Sequence, residues 1–182
     1  MPTTPPERIE LDGIVIRRET SNDAQAVADA IASNIPRLAP WMEWAVADAG
    51  NVDTQLTRIA NTAVQWNSGS VYDYLITDAS EVEVLGKAGV HKRSDDALEI
   101  GYWLTQAAEG RGFMTRIAAE LTDIALSMDR VDKVEIHCDE ANLRSRAIPE
   151  RLGYRLDRVV DHPITTTQQT GRQMIWIYDA TS

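Results

Sequence analysis

The residues best suited to chemistry by type and spacing are Gly110, Arg111 and Gly112. They sit where a strand-like run meets a long amphipathic stretch, Leu-Glu-Ile-Gly-Tyr-Trp-Leu-Thr-Gln-Ala-Ala-Glu-Gly-Arg-Gly-Phe-Met-Thr over residues 98–115. Glycines there allow a tight turn and leave amide N–H groups free at a helix N-terminus, where the helix dipole favours a pyrophosphate. No Lys follows Gly112, which excludes a nucleoside-triphosphate loop of the form Gly-x-x-x-x-Gly-Lys-Ser/Thr. A dinucleotide loop needs a third glycine and a strand directly before it; here Thr115 takes that place and residues 105–109 intervene. Asp139 and Glu140, closing the next strand, keep that reading open. An acetyl-coenzyme A pyrophosphate loop would use the same amides, and a glycine turn capping a helix would need no ligand at all.

Other reactive residues offer less. His137 and Cys138 are adjacent on a strand-like segment, so their side chains point to opposite faces and cannot form a dyad. His91, His137 and His162 have no metal-ligand spacing with Cys138 or with one another, and no metal is expected. Arg144, Arg146, Arg151, Arg155 and Arg158 cluster in a chain of net charge −10; they form either a solvated face or a phosphate-facing patch. That net charge argues against nucleic-acid partners and favours cationic ones. A single cysteine excludes an internal disulfide and fits a reducing cytoplasm. No apolar run is long enough to span a membrane.

The elements that must position these residues follow from periodicity. At 182 residues, 43% of them hydrophobic, the chain can build one full core. Residues 1–8, polar and Pro-rich, read as a disordered lead-in, and residues 9–182 as one domain. A strand over 13–18 is followed by Ser21, Asn22 and Asp23, which cap a helix with Val27, Ala28, Ile31 and Ile35 on one side; Pro36 and Pro40 should stop it. Asp53 should cap a second helix ending at Gly69. Strands are expected over 71–77, 83–91, 98–104, 133–138, 154–160 and 172–178. Met114, Ile117, Leu121, Ile124 and Met128 form a 3.6-period stripe, and residues 143–152 a further helix bent by Pro149 and stopped by Gly153.

This α/β order, β-α-α-β-β-β-α-β-α-β-β, resembles the GCN5-related N-acetyltransferase (GNAT) fold, and within it the Rim-type branch of ribosomal-protein N-terminal acetyltransferases. The stretches carrying the resemblance are Glu99-Ile-Gly-Tyr-Trp-Leu104 with Gly110-Arg-Gly-Phe-Met-Thr115, then Asn142-Leu-Arg-Ser145 with Ile148-Pro-Glu-Arg-Leu-Gly-Tyr154, and Pro40-Trp-Met-Glu-Trp44. The resemblance covers nearly all of residues 8–180. One departure is Ala107, where the family has Gln or Arg. The resemblance implies a mixed, mostly antiparallel seven-stranded sheet, splayed between its fourth and fifth strands and flanked by about four helices.

It also implies acetyl-coenzyme A as co-substrate. Backbone from Ile100, Tyr102, Trp103 and Leu104 would pair with the pantetheine, an N–H there supporting the oxyanion. The pyrophosphate would lie on Gly110, Arg111, Gly112, Phe113, Met114 and Thr115. Asn142 would bind the pantetheine or cap its helix, and Ser145 would supply a proton to the departing thiolate. Glu99 or Glu43 would serve as base, and Trp41, Glu43 and Trp44 would hold the acceptor. An α-amine, with a pKa of about 7.7–8.0 against about 10.4 for lysine, starts roughly 3.5 kcal/mol closer to its reactive form, so a modest carboxylate suffices for a protein N-terminus. Polyamines and amine-bearing antibiotics are alternative acceptors, and a non-catalytic acyl-coenzyme A-binding module is an alternative function. A homodimer is common in the resembled branch.

Overall fold

The computed structural model describes residues 4–180. Its chain order is β1 (Arg8–Leu11), β2 (Ile14–Arg18), α1 (Ala24–Leu38), α2 (Val52–Ser68), β3 (Val71–Asp78), β4 (Val84–Lys92), β5 (Ala97–Leu104), α3 (Phe113–Leu126), β6 (Lys133–Asp139), α4 (Leu143–Leu152), β7 (Arg155–Asp161) and β8 (Arg172–Asp179). The eight strands form one sheet, ordered β1-β2-β3-β4-β5-β6-β8-β7. Every neighbouring pair is antiparallel except β5 and β6. This is the expected mixed α/β GNAT fold with one strand more than expected. The addition is β1, folded onto β2 by a turn in which Gly13 takes a φ of 78°. An Asp-Gly pair, Asp12-Gly13, is a strong hairpin signal. Of the expected lead-in, residues 1–3 lie outside the described residues. Further along it, Pro5 is buried, the Pro6 carbonyl accepts from the Tyr74 hydroxyl, and Arg8 already opens β1, because each gains a partner from the sheet.

Boundaries of α1 and α2 differ from the sequence expectation, and α3 ends at Leu126, short of Met128 on the expected stripe. Pro36 lies within α1, which runs on to Leu38. The missing N–H costs one bond near the helix end, while Leu38 continues the buried face. The cap of α2 is Asn51, in extended conformation, two residues before Asp53. Gly69 and Gly153 end α2 and α4 in left-handed conformation, as expected.

The alternation of the strands sorts side chains onto two faces. Tyr74, Ile76, Ala88, Val90, Leu98, Ile100, Val134 and Ile136 pack with Phe113, Met114, Ile117 and Leu121 in the main core beneath α3, which Ile148 of α4 joins. On the opposite face Leu75 and Trp103 pack with Val27, Ile31 and Leu38 of α1 in a smaller core. Between β5 and β6 the parallel ladder has three register pairs, Ala97 with Lys133, Leu98 with Val134 and Glu99 with Glu135. Beyond Glu99 the strands diverge. The β6-facing edge of β5 from Ile100 onward is therefore a strand edge inside the molecule, flanked by both cores.

Candidate active site

The glycine loop presents backbone rather than side chains. Gly110 and Gly112 both adopt φ of 73°, and Gly112 is the N-cap of α3. A Cβ at either would meet nothing within 4 Å, so the left-handed conformation is what calls for glycine, and open space lies over both. The first amides of α3, at residues 113–115, have no preceding helical carbonyl to bond. Phe113 and Met114 bury their side chains in the main core, so only their N–H groups can serve an anion. The Arg111 guanidinium sits 4.4 Å over the Phe113 ring, with Arg116 on the same ring at 5.2 Å. Ala107 is exposed, and Glu109 beside it accepts from both Arg37 and Arg144.

From the β5–β6 divergence a cavity of about 430 Å³ opens. Its lining includes Ile100, Tyr102, Cys138, Asn142 and Ser145, some from the α3 side of the sheet, and Gly101, Trp103, His91 and His137 from the α1 side. The cavity therefore passes through the sheet. The Asn142 side chain accepts from the Ser145 N–H at 3.2 Å, which makes it the cap of α4. The Ser145 hydroxyl donates to the Tyr102 hydroxyl at 3.4 Å, and that hydroxyl donates to the Ser145 carbonyl at 3.2 Å. Burial holds the Tyr102 phenol well above its ordinary range, with the Ser145 contact opposing the rise. Burial likewise pushes the Cys138 thiol up to about 11, so it stays protonated near neutrality.

Of the expected acceptor residues, Trp41 and Trp44 line the cavity; Trp44 lies 6.0 Å from Trp103, ring to ring. The loop carrying them is pinned by the β7–β8 connection: the Pro40 carbonyl accepts from the Thr166 hydroxyl at 2.7 Å and the Gln168 N–H at 3.1 Å. Glu43 is exposed and outside the lining, and Glu99 also lies outside it. The Glu99 carboxylate is bonded by Arg93 and lies 3.4 Å from His137 Nδ1, while Glu135 takes His137 Nε2 at 2.7 Å. Leu104, Glu99 and Glu43 are thus not gathered with Ser145. The arginine cluster is largely matched with acids: Arg144 with Glu109, Arg146 with Glu150, and Arg155 and Arg158 with Asp157.

The α1 side of the cavity holds a charged cluster that the sequence reading did not assemble. Glu19, with a side chain 2% exposed, takes two bonds from Arg58 at 2.7 and 2.8 Å and one from Lys87 Nζ at 2.7 Å. Lys87 also reaches Asp73 Oδ2 at 3.1 Å, and His91 Nε2 stands 3.9 Å from Asp73 Oδ1. The alternation Lys87, Gly89, His91 was visible in the sequence. Its pairing with Asp73 depends on the register of β3 against β4. Among the described residues, no group of three His, Cys, Asp or Glu side chains could hold a metal, and no helix is long and apolar enough to cross a membrane.

Comparison with known proteins follows this geometry. The acetyltransferase (GNAT) domain family matches residues 14–155. The YdaF protein of Bacillus subtilis (strain 168), named provisionally as a ribosomal N-acetyltransferase, is 28% identical over 144 residues, 78% of this chain and 77% of its own. Among solved structures, RimL, a ribosomal L7/L12 α-N-protein acetyltransferase in complex with coenzyme A, superposes with a TM-score of 0.86 at 17% identity, covering 95% of this chain and 98% of its own. The microcin C7 self-immunity acetyltransferase MccE, in complex with acetyl-CoA and AMP, gives the same TM-score at 19% identity, covering 97% and 98%.

Proposed function

Since the chain belongs to the GNAT acetyltransferase domain family, we propose that it transfers the acetyl group of acetyl-coenzyme A to a protein or peptide N-terminal α-amine of the ribosomal-protein kind, in the cytoplasm. The observation that carries this reading is the cavity passing through the sheet at the β5–β6 divergence, with glycine-loop backbone beyond one mouth and an aromatic, acid-bearing wall at the other. The acyl carrier fits the residues present. Open space lies over Gly110 and Gly112, and the free β5 edge can pair with an amide-bearing arm. When bound, that carrier supplies an activated thioester.

The chain's own residues do the rest. The amides at residues 113–115, with the positive end of α3, hold the pyrophosphate. The β5 edge at Ile100, Tyr102 and Trp103 orients the arm, and one of its N–H groups supports the developing oxyanion. The Ser145 hydroxyl, placed beside Tyr102 at the Asn142-capped start of α4, turns its proton from Tyr102 to the departing thiolate. Trp41 and Trp44 confine the acceptor.

A small-molecule amine is the second reading, favoured by the superposition on MccE, whose name links it to microcin C7 immunity. One assay decides between them: release of free coenzyme A thiol with ribosomal-protein N-terminal peptides, spermidine and amine-bearing peptide antibiotics as acceptors. Highest kcat/KM with the peptides supports the N-terminal reading. A preference for the antibiotics supports the second, and binding of acetyl-coenzyme A without turnover on any acceptor refutes both.

A further inference from the structure

We infer that Asp73 and His91, above a floor made by Gly89 and Gly101, form the amine subsite, with Asp73 binding the incoming ammonium and His91 accepting its proton. The inference rests on the acetyl-transfer reading above and names the residues that reading leaves without a base. Three observations carry it.

The first is the floor. Gly89 and Gly101 are register partners on β4 and β5, and both line the cavity. A Cβ at Gly89 would lie 2.4 Å from Asp73 Oδ1 and 2.7 Å from His91 Nε2. Any larger residue would drive those groups off the strand, so glycine is what allows them to converge. The second is the gap. Asp73 Oδ1 and His91 Nε2 stand 3.9 Å apart, too far for a mutual hydrogen bond. A single nitrogen can still sit about 2.8 Å from each. The third is reach. His91 Nε2 is 3.8 Å from the Cβ position of Gly101, which lies on the free stretch of β5 past Glu99. An amine held there is beside the backbone that would present the acyl carbon.

The surrounding cations hold the Asp73 carboxylate in place. Its Oδ2 is taken by Lys87, and Arg58 stands 3.7 Å away. The buried Glu19 bridges those two cations. The groups around His91 are Asp73 on β3, Lys87 on β4, its register partner Glu99 on β5, Arg58 on α2 and His137 on β6. His137 is committed to Glu135 and Glu99, whereas His91, with a side chain 42% exposed, can exchange a proton with water.

The step balances as follows. The ammonium gives one proton to His91 Nε2, which passes it to solvent. The nitrogen lone pair forms the C–N bond as the C–S bond breaks. The second proton lost from nitrogen ends on the departing thiolate at the Ser145 side.

The test is steady-state kinetics across pH on the acceptor with highest kcat/KM, with acetyl-coenzyme A affinity by calorimetry. His91→Gln should lower kcat by about 100-fold, the usual range for a lost general base, and should lack the acid limb in kcat/KM expected of the wild type. Acetyl-coenzyme A affinity should be unchanged. Gly89→Ala should raise KM for the amine by about tenfold, a 1.4 kcal/mol loss. If His91→Gln keeps the wild-type kcat and acid limb, the inference is overturned while the acetyl-transfer reading stands. If the wild type turns over no amine, both fall. His91→Asn repeats the test should His91→Gln lose its thermal unfolding transition.

Discussion

The two mouths of the cavity are built from different materials. On the α3 side the proposed binding parts are backbone: an unpaired strand edge at the cavity and, outside its lining, glycines of left-handed φ and the first amides of a helix. On the α1 side they are side chains drawn from the end of β2, α2, β3 and β4, joined as Glu19, Arg58, Asp73, Lys87 and His91. Backbone binds a pyrophosphate and an amide-bearing arm, groups that every acyl-coenzyme A carries. Side chains distinguish one amine from another. One side can therefore be shared by a whole family, while the other sets what each member acetylates.

The comparison can be broken most severely at Glu19. Glu19→Ala leaves Arg58 and Lys87 with Asp73 as their one remaining acid, Arg58 keeping its bond to Gln55, so breaking this network should cost about 3 kcal/mol of stability. Chemical denaturation should show the loss, and acetyl-coenzyme A affinity of the folded fraction should hold. Equal loss of cofactor affinity would mean the two sides are one coupled unit.

On the other side, Gly112→Glu imposes a left-handed conformation on a residue with a Cβ and sets a carboxylate against the pyrophosphate. Acetyl-coenzyme A affinity should fall roughly 100-fold, about 2.7 kcal/mol, by calorimetry. Wild-type affinity in this variant would make the glycines a helix cap and nothing more.

Ser145→Ala sharpens the division between binding and chemistry. In the proposed role its hydrogen bond strengthens only as the thiolate forms, so kcat should drop roughly tenfold at constant acetyl-coenzyme A affinity. A parallel loss of affinity would make Ser145 a binding residue.

The smallest effect is expected at Arg146, whose partner Glu150 is one turn away on an exposed helix face. Arg146→Ala should change stability by about 0.5 kcal/mol or less and leave acetyl-coenzyme A affinity as it was. A large drop in affinity would restore the arginine cluster as a phosphate patch.

The same contrast explains what could be read beforehand. The stripe Met114, Ile117, Leu121, the glycine loop before it, the Asn142–Ser145 turn and the alternation of Val134, Ile136 and Cys138 are local patterns. Backbone periodicity and capping chemistry dictate them within a few residues, and the structure places them as expected. The β1 hairpin was missed although Asp12-Gly13 announced it, because four residues are a weak strand signal until β2 pairs with them. Pro36 was read as a stop because its local cost is visible in the chain, while the burial of Leu38 that offsets it is not.

The amine side was illegible for a different reason. Asp73, Lys87 and His91 are separated in sequence and meet because β3 and β4 pair in one register, in which Asp73 opposes Gly89 and Leu75 opposes Lys87. Shifting one of the two strands by one residue would put Asp73 on the opposite face from Lys87 and His91. By itself the sequence determined the elements, the helix caps and the glycine loop, since neighbours along the chain settle these. Tertiary structure alone decided that β5 and β6 part after Glu99, that Glu99 is spent on Arg93 and His137, and that Asp73 and His91 meet over Gly89, since those outcomes depend on residues that only the folded sheet brings within hydrogen-bonding range.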